Sequence, residues 1–365
     1  MSQHLSASID APAFGSVLVT GGLGAIGSYV TASLLATGSR VTTFSRSADL
    51  STLRLLADES HLRRLTVVQG DLLHKGEVAR AIADTAPQLI VALSSMLIPA
   101  SNADPLSAYD VNLGGVLQCL DAAQRYDVPR VVVASAKAAY GVLPPGYRSP
   151  AFRPVTEDLR FPPGNIYGLT KRAAEDVCGY YRSQRGVEVA CLRLGSTYGP
   201  GKDKGKGKGK GKGNGMHQSY SSLKSRIVEA AALGRDVVVR GADVVDDLVY
   251  NRDVAKAVLC AAAVDPAGRD HLVYNVSGGA LVSMREFVAE VARCCPDSRV
   301  EFVESDESAS TGLRLRMDIS LAAREIGYVP DFPGTAGVSD YVAVIRTGRG
   351  GVMPAAGEAR LELAV

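Results

Sequence analysis

The sequence predicts an α/β protein: a doubly wound parallel sheet followed by a smaller C-terminal α/β region. Three observations predict it. Short apolar, β-branched runs alternate with stretches of helical spacing. A glycine-rich turn joins the first run to the first helix. The alternation then loosens after about residue 195.

The run "SVLVT" (Ser16 to Thr20) lacks a polar alternation, as a strand buried on both faces does. "GAIGSYVTASLLATG" follows with helical spacing, and Gly38 closes it. "RVTTFSR" reads as a second strand and "LTVVQGD" as a third. "HKGEVARAIADTA" is a helix, "QLIVALSS" a strand, "LSAYDVNLGGVLQCLDAAQRY" a long helix and "RVVVASA" a strand. Strands separated by helices pair in parallel, with right-handed crossovers placing helices on both faces. Beyond residue 195 come "VVVRG", the helix "NRDVAKAVLCAAA", "LVYNVSG", the helix "MREFVAEVARCC" and "RVEFVES". The Gly/Ala-rich tail after Arg346 is expected to fray.

The turn "VTGGLGAIG" contains G-x-G-x-x-G as Gly22, Gly24 and Gly27, and G-x-x-G-x-x-G as Gly21, Gly24 and Gly27. Alone, either pattern is weak, and a tight turn without a ligand uses the same glycines. Here the turn follows a strand and opens a helix, the context of a Rossmann dinucleotide site. Glycines let the backbone approach a pyrophosphate, and the helix N-terminus offers unpaired N–H groups. An NAD site carries an acid at the end of the second strand, about 20 residues on. This chain has Ser45 there, followed by Arg46. An arginine suits a 2′-phosphate, so NADP(H) is expected, with NAD possible. Asp71, in "GDL", is placed to contact the adenine edge.

Composition excludes several classes. The segment Lys202 to Gly215 alternates lysine and glycine and contributes +5, yet the whole chain carries only +2. No other dense basic cluster exists, so the run reads as a solvated loop and nucleic-acid binding is not expected. The six cysteines form no C-x-x-C pair and no His/Cys cluster with zinc spacing, so no metal is expected. Reduced thiols fit a cytoplasmic protein. The N-terminal stretch lacks a signal pattern, and no apolar run approaches the ~20 residues of a membrane span.

"TGGLGAIG", "GDL", "ASAKAAYG", "YGLTK" and "RLGSTYGPG" occur in this order. Together they resemble the extended short-chain dehydrogenase/reductases, the NAD-dependent epimerase/dehydratase family, over residues 16–345. "DDLVYNRDVAKAV", "YNVSGG" and "RLRMDISLAAREIGYVP" resemble that family's closing segments. The resemblance implies a Rossmann domain over 1–195, with 245–275 returning to it, and a mainly substrate-binding domain over 196–345 that contains the Lys/Gly loop. Residues 346–365 are the tail. It also implies a homodimer through a four-helix bundle built from helices near 104–126 and 166–185. The cofactor set it implies is Gly21, Gly24, Ala25, Ile26, Gly27, Ser45, Arg46, Asp71, Leu72, Leu93, Ser94, Tyr167 and Lys171.

Tyr167 and Lys171 lie four apart, on one face of a helix. Free tyrosine titrates near pH ~10, and a nearby ammonium favours its phenolate. Tyr167 could then take a proton from a substrate hydroxyl while hydride leaves carbon. The resemblance assigns Lys171 to the nicotinamide ribose as well. The family's third member is a Ser or Thr four residues before the tyrosine of a "YG" pair. Counting back from Tyr140 gives Ala136. Ser135 is the nearest hydroxyl, and it fills the role only if the strand end bends, because strand neighbours face opposite ways.

Other positions bear on the substrate. Lys137 stands where the family's dehydratases carry an Asp-Glu pair, so sugar dehydration is not expected. Ser196 replaces a diphosphate-binding Asn, and Asp246 an Arg that would hold a phosphate; Asp246 is expected to repel a diphosphate. Arg314 matches a phosphate-binding arginine. The substrate set is Ser95, Lys137, Ser196 and Arg314. The leading expectation is an NADP(H)-preferring oxidoreductase acting on a secondary alcohol or ketone of a small sugar, polyol, sugar acid or natural-product intermediate. The alternatives are a nucleotide-sugar epimerase with tightly held cofactor and a catalytically weakened sensor or scaffold.

Overall fold

A computed structural model of the chain describes residues 12–201, 220–305, 313–348 and 360–364. The Lys/Gly run falls outside the described residues. The N-terminal half runs β1 (Ser16–Thr20), α1 (Ala25–Ala36), β2 (Arg40–Ser45), α2 (Ser51–Leu56), α3 (Glu59–Leu62), β3 (Leu65–Gln69), α4 (Glu77–Thr85) and β4 (Leu89–Ala92). It continues with α5 (Ile98–Ala103), α6 (Pro105–Tyr109), α7 (Gly115–Arg125), β5 (Val131–Ala136), β6 (Pro154–Val155), α8 (Ile166–Arg185) and β7 (Val189–Leu194). A one-turn π segment, Asp110–Gly114, joins α6 to α7, and a 3₁₀ turn, Lys137–Tyr140, follows β5.

The C-terminal part contains β8 (Ser196–Tyr198), α9 (Tyr220–Ala232), β9 (Asp236–Gly241), β10 (Val245–Tyr250), α10 (Asn251–Ala263), β11 (Val273–Val276) and β12 (Leu281–Ser283). After these come α11 (Met284–Cys294), β13 (Val300–Glu304), β14 (Arg316–Met317), α12 (Ser320–Ile326), α13 (Gly337–Thr347) and β15 (Arg360–Ala364).

Seven strands form a parallel sheet in the order β11-β7-β5-β4-β1-β2-β3. This is a Rossmann-type doubly wound sheet, whose order reverses between β1 and β4. Successive strand residues face opposite ways, so Val17 and Val19 enter one core and Leu18 the other. Helices α1 and α10 pack on the first face, and α4, α7 and α8 on the second. Ligands of such sheets bind beyond the carboxyl ends of the strands, at the reversal. The remaining strands make smaller sheets, β12-β10-β8, β13-β9-β15 and β14-β6, while α10 packs on the large sheet and β11 forms its edge.

The tail departs from expectation. Arg360–Ala364 is a strand paired in parallel with β9, with Leu363 buried. Its Leu-Glu-Leu alternation gives it an apolar face to pack, which outweighs the glycine-rich stretch before it.

Candidate active site

The β1–α1 turn is built for close backbone approach. Gly21 has φ +69° and a Cβ there would lie 3.0 Å from Ser94 Oγ. A Cβ on Gly27 would come within 2.0 Å of the Gly21 carbonyl oxygen. Only glycine therefore lets α1 start against the strand end. α1 begins at Ala25 and Ile26 with no side-chain cap and no acid in its first turn. Its first N–H groups and the positive end of its dipole thus face an anion-binding position.

At the end of β2, Ser45 Oγ is buried and has no hydrogen-bond partner among the described residues. Arg46 is exposed, and its carbonyl accepts from Gln69 Nε2 at 2.9 Å. Asp71 closes a turn by accepting from the Leu73 amide at 3.1 Å, and Leu72 packs beneath Gly115. The Leu93 and Ser94 amides both donate to Thr20 Oγ1, at 3.2 and 3.3 Å, tying the end of β4 to β1. The glycine cradle, the uncapped helix and the orphaned Ser45 hydroxyl fit a dinucleotide along these strand ends.

The proposed acid–base pair stands on α8. Asn165 caps this helix by accepting from the Gly168 amide at 2.8 Å, and Gly186 ends it in the left-handed conformation. A Cβ on Gly168 would lie 2.4 Å from the Ala138 carbonyl oxygen, so α8 starts tight against the 137–140 turn. Arg172 fastens that contact through the Ala139, Tyr140 and Phe161 carbonyls.

Lys171 Nζ lies 5.7 Å from the Tyr167 ring centre and donates to the Ala134 carbonyl at 2.7 Å. The Tyr167 phenol is pushed up to about 12 by desolvation, with the Ser95 hydroxyl acting in the lowering direction. Burial also pushes the Lys171 ammonium down, to about 8, against the raising effect of Glu175. The sequence reading expects Lys171 to lower the phenol. Desolvation instead moves both groups toward their neutral forms.

Ser135 does not face this pair. Its Oγ donates to Glu175 Oε1 at 2.5 Å. Glu175 also holds Arg193 through bonds of 2.9 and 2.7 Å, and all three residues are buried. Glu175 is two helical turns beyond Tyr167, about 12 Å along the axis. The strand end stays extended, with φ −153° and ψ 155° at Ala136, so Ser135 keeps the face opposite to its neighbour and joins the buried ion pair.

Three residues that sequence reasoning passed over, Asn112, Glu175 and Arg193, join these groups. Asn112 sits in the π segment, fully buried. Its Oδ1 accepts from the Met96 amide at 2.7 Å and from Ser95 Oγ at 3.0 Å. Its Nδ2 donates to the Met96 carbonyl at 3.1 Å and to Thr170 Oγ1 at 3.0 Å. An asparagine inside an apolar helical pattern was the available signal. Glu175 and Arg193, 18 residues apart, gave none.

Lys137, Ser196 and Asp246 meet beyond the ends of β5 and β7. Lys137 Nζ lies 2.7 Å from Asp246 Oδ1 and 2.7 Å from Ser196 Oγ, and Ser196 Oγ donates to Asp246 Oδ2. Asp246 is therefore a paired, buried carboxylate rather than a bare charge facing the substrate. Asp247 next to it is pushed up to about 7 by burial, although Ser277 Oγ and the Met317 amide donate to it. Arg314 lies half-buried just before β14. Among the described residues no His/Cys/Asp/Glu group could hold a metal, and no helix is long and apolar enough to cross a membrane.

Comparison with known proteins places these features. The family model described as NAD dependent epimerase/dehydratase matches residues 17–277. UDP-glucose 4-epimerase 2 of Oryza sativa subsp. japonica is 29% identical over 283 residues, 75% of this chain and 68% of that protein. The solved UDP-glucose 4-epimerase of Thermotoga maritima, with UDP-glucose, superposes with a TM-score of 0.73 at 21% identity, covering 91% of this chain and 99% of its own. An L-threonine dehydrogenase structure from Clostridium difficile also reaches 0.73, at 20% identity, covering 92% and 98%. The shared fold thus serves different chemistries, and the site residues have to decide among them.

Proposed function

The chain belongs to the NAD-dependent epimerase/dehydratase family, the extended short-chain dehydrogenase/reductases, and from that premise we propose that it catalyses hydride transfer at a secondary alcohol or ketone of a small molecule. The observation that carries the reaction class is the pairing of Tyr167 with Lys171 on one face of α8, at the carboxyl ends of the sheet. Gly21, Gly24, Ala25, Ile26 and Gly27 would hold the cofactor's pyrophosphate, Asp71 and Leu72 its adenine end, Leu93 and Ser94 its middle, and Lys171 its nicotinamide ribose. A bound nicotinamide supplies the hydride acceptor or donor. Tyr167 moves the matching proton to or from the substrate oxygen, and Lys171 favours its ionised form.

NADP(H) is the proposed cofactor. Arg46 is exposed and makes no ion pair among the described residues, and the buried Ser45 supplies no carboxylate to hold a ribose diol. The Lys137–Ser196–Asp246 cluster supports a substrate without a nucleotide diphosphate. Its ion pair is neutral as a unit, so it offers a diphosphate no net positive charge. A screen of small polyols, sugar acids and hydroxy ketones, followed by nicotinamide absorbance, tests this reading. No turnover by the wild-type protein across these classes would count against it.

The relatives favour a second reading, a UDP-sugar 4-epimerase. That enzyme interconverts its substrates without net turnover of free cofactor. Incubation with UDP-glucose and analysis for the 4-epimer separates the two readings. A homodimer is also proposed, since Leu106, Tyr109 and Tyr180 leave apolar surface exposed on α6 and α8.

A further inference from the structure

Between the end of β4 and the start of α8, polar side chains turn inward and apolar ones face out. Ser95 Oγ donates to Asn112 Oδ1 at 3.0 Å, and Ser101 Oγ to the Met96 carbonyl at 2.9 Å. Asn102 Oδ1 accepts from the Ile166 amide at 3.2 Å, and Asn165 Oδ1 from the Gly168 amide at 2.8 Å. Leu97 and Ile98 are by contrast 55% and 40% exposed, and Val142 is 53% exposed. A single exposed apolar residue is ordinary, whereas several around one site mark a surface that binds something. We propose that Leu97, Ile98 and Val142 form an apolar subsite beside Tyr167, and that the substrate is a secondary alcohol or ketone carrying an alkyl or aryl arm rather than a fully hydroxylated sugar.

Hydrogen bonds tie these residues to the first turn of α8. The Met96 carbonyl accepts from Asn112 Nδ2 at 3.1 Å, Nδ2 also donates to Thr170 Oγ1 at 3.0 Å, and Thr170 Oγ1 donates to the Tyr167 carbonyl at 2.8 Å. α5, which begins at Ile98, meets the start of α8 a second time through Asn102 and Ile166. Val142 flanks the chain that enters α8. Its amide donates to the Pro162 carbonyl at 2.7 Å, and a Cβ on Gly164 would lie 3.2 Å from its Cγ2. Neither 94–103 nor 138–147 contains a charged residue.

A polyol gives up hydrogen bonds to water when it settles on such a wall, and Leu97, Ile98 and Val142 offer none in return. An alkyl or aryl arm gives up none and removes apolar area from water. Met96 is held at its amide and at its carbonyl, so the backbone before Leu97 and Ile98 is fixed in advance and little ordering is left to occur on binding. The reacting oxygen stays with Tyr167. The proposal rests on the reading of Tyr167 as the acid–base group, but its test reads binding rather than turnover.

The full-length protein with reduced nicotinamide cofactor is titrated by calorimetry with 2-butanol, 2-hexanol, 2-octanol and xylitol. Reduced cofactor and alcohol form no product, so affinity is read without reaction. Affinity is expected to rise about two- to fourfold per added methylene, with xylitol weaker than 2-hexanol. Leu97→Ser with Ile98→Ser should flatten the series, whereas Val329→Ser, at an exposed apolar residue beyond α12, should leave it in place. If the double variant fails to fold, Val142→Ser alone should lessen the rise. No dependence on chain length, an equal rise in the serine variants, or tighter binding of xylitol overturns the proposal. A double variant whose sedimentation changes while its series stays intact assigns the patch to a second copy and overturns it too. None of these outcomes touches the reading of Tyr167, which the turnover of Tyr167→Phe decides.

Discussion

Lys137 Nζ and Asp246 Oδ1 lie 2.7 Å apart although the two residues are 109 positions apart in the chain. The lysine side chain is 14% exposed and the aspartate 2%. Each residue is unexpected for the family on its own; together they form one neutral unit. Removing one partner leaves an uncompensated buried charge. Lys137→Met is expected to destabilise the protein by about 3–5 kcal/mol in urea unfolding, whereas Lys137→Met with Asp246→Leu should recover most of that loss. Additive losses in the double-mutant cycle would show that the pair does not couple.

Tyr167→Phe keeps the ring and its packing but removes the proton-carrying group. Turnover on a confirmed substrate should fall by about 10²–10⁴-fold, with cofactor affinity retained. Unchanged turnover would assign the acid–base step to another group.

Arg46→Asp should move cofactor preference from NADP(H) toward NAD(H). A lost charge-assisted pair is worth on the order of 1.5–3 kcal/mol, about ten- to a hundredfold in affinity. Cofactor titration by fluorescence reads both affinities, and equal values before and after the change would remove Arg46 from the site.

Asp247 makes stability depend on pH in a definite direction. Its folded pKa, about 7, lies above the ordinary 3.8, so the native state holds a proton that the unfolded chain has released in this window. Its contribution to stability is therefore greatest near pH 4 and declines as pH rises toward 7. Asp247→Asn should flatten that decline in melting temperature. Ser277 Oγ, 2.6 Å away, can turn to accept from the new amide. A wild-type decline that persists in the variant would assign it to other groups.

The dimer proposal is tested at Leu106, which is 80% exposed on α6. Leu106→Glu should convert a dimer to a monomer in analytical ultracentrifugation, with little change in melting temperature measured on the monomer. A wild-type protein that sediments as a monomer at micromolar concentration would end that proposal.

The sequence by itself determined the Rossmann sheet and the positions of its parts. The two patterns involved are local. Strand and helix periodicities repeat over a few residues, and Gly21 and Gly27 are demanded by a turn in which a side chain would clash. The Tyr167–Lys171 face is equally local, being one turn of one helix. The tertiary structure decided what the remaining polar groups do. Ser135 and Ser95 are both serines at strand ends, yet one donates to Glu175 and the other to Asn112. That difference depends on which face each strand end presents and on which helical segment crosses it. Asp246 read as a repulsive charge until Lys137, arriving from another strand end, neutralised it. The raised Tyr167 phenol and lowered Lys171 ammonium likewise follow from burial, which chain order does not specify.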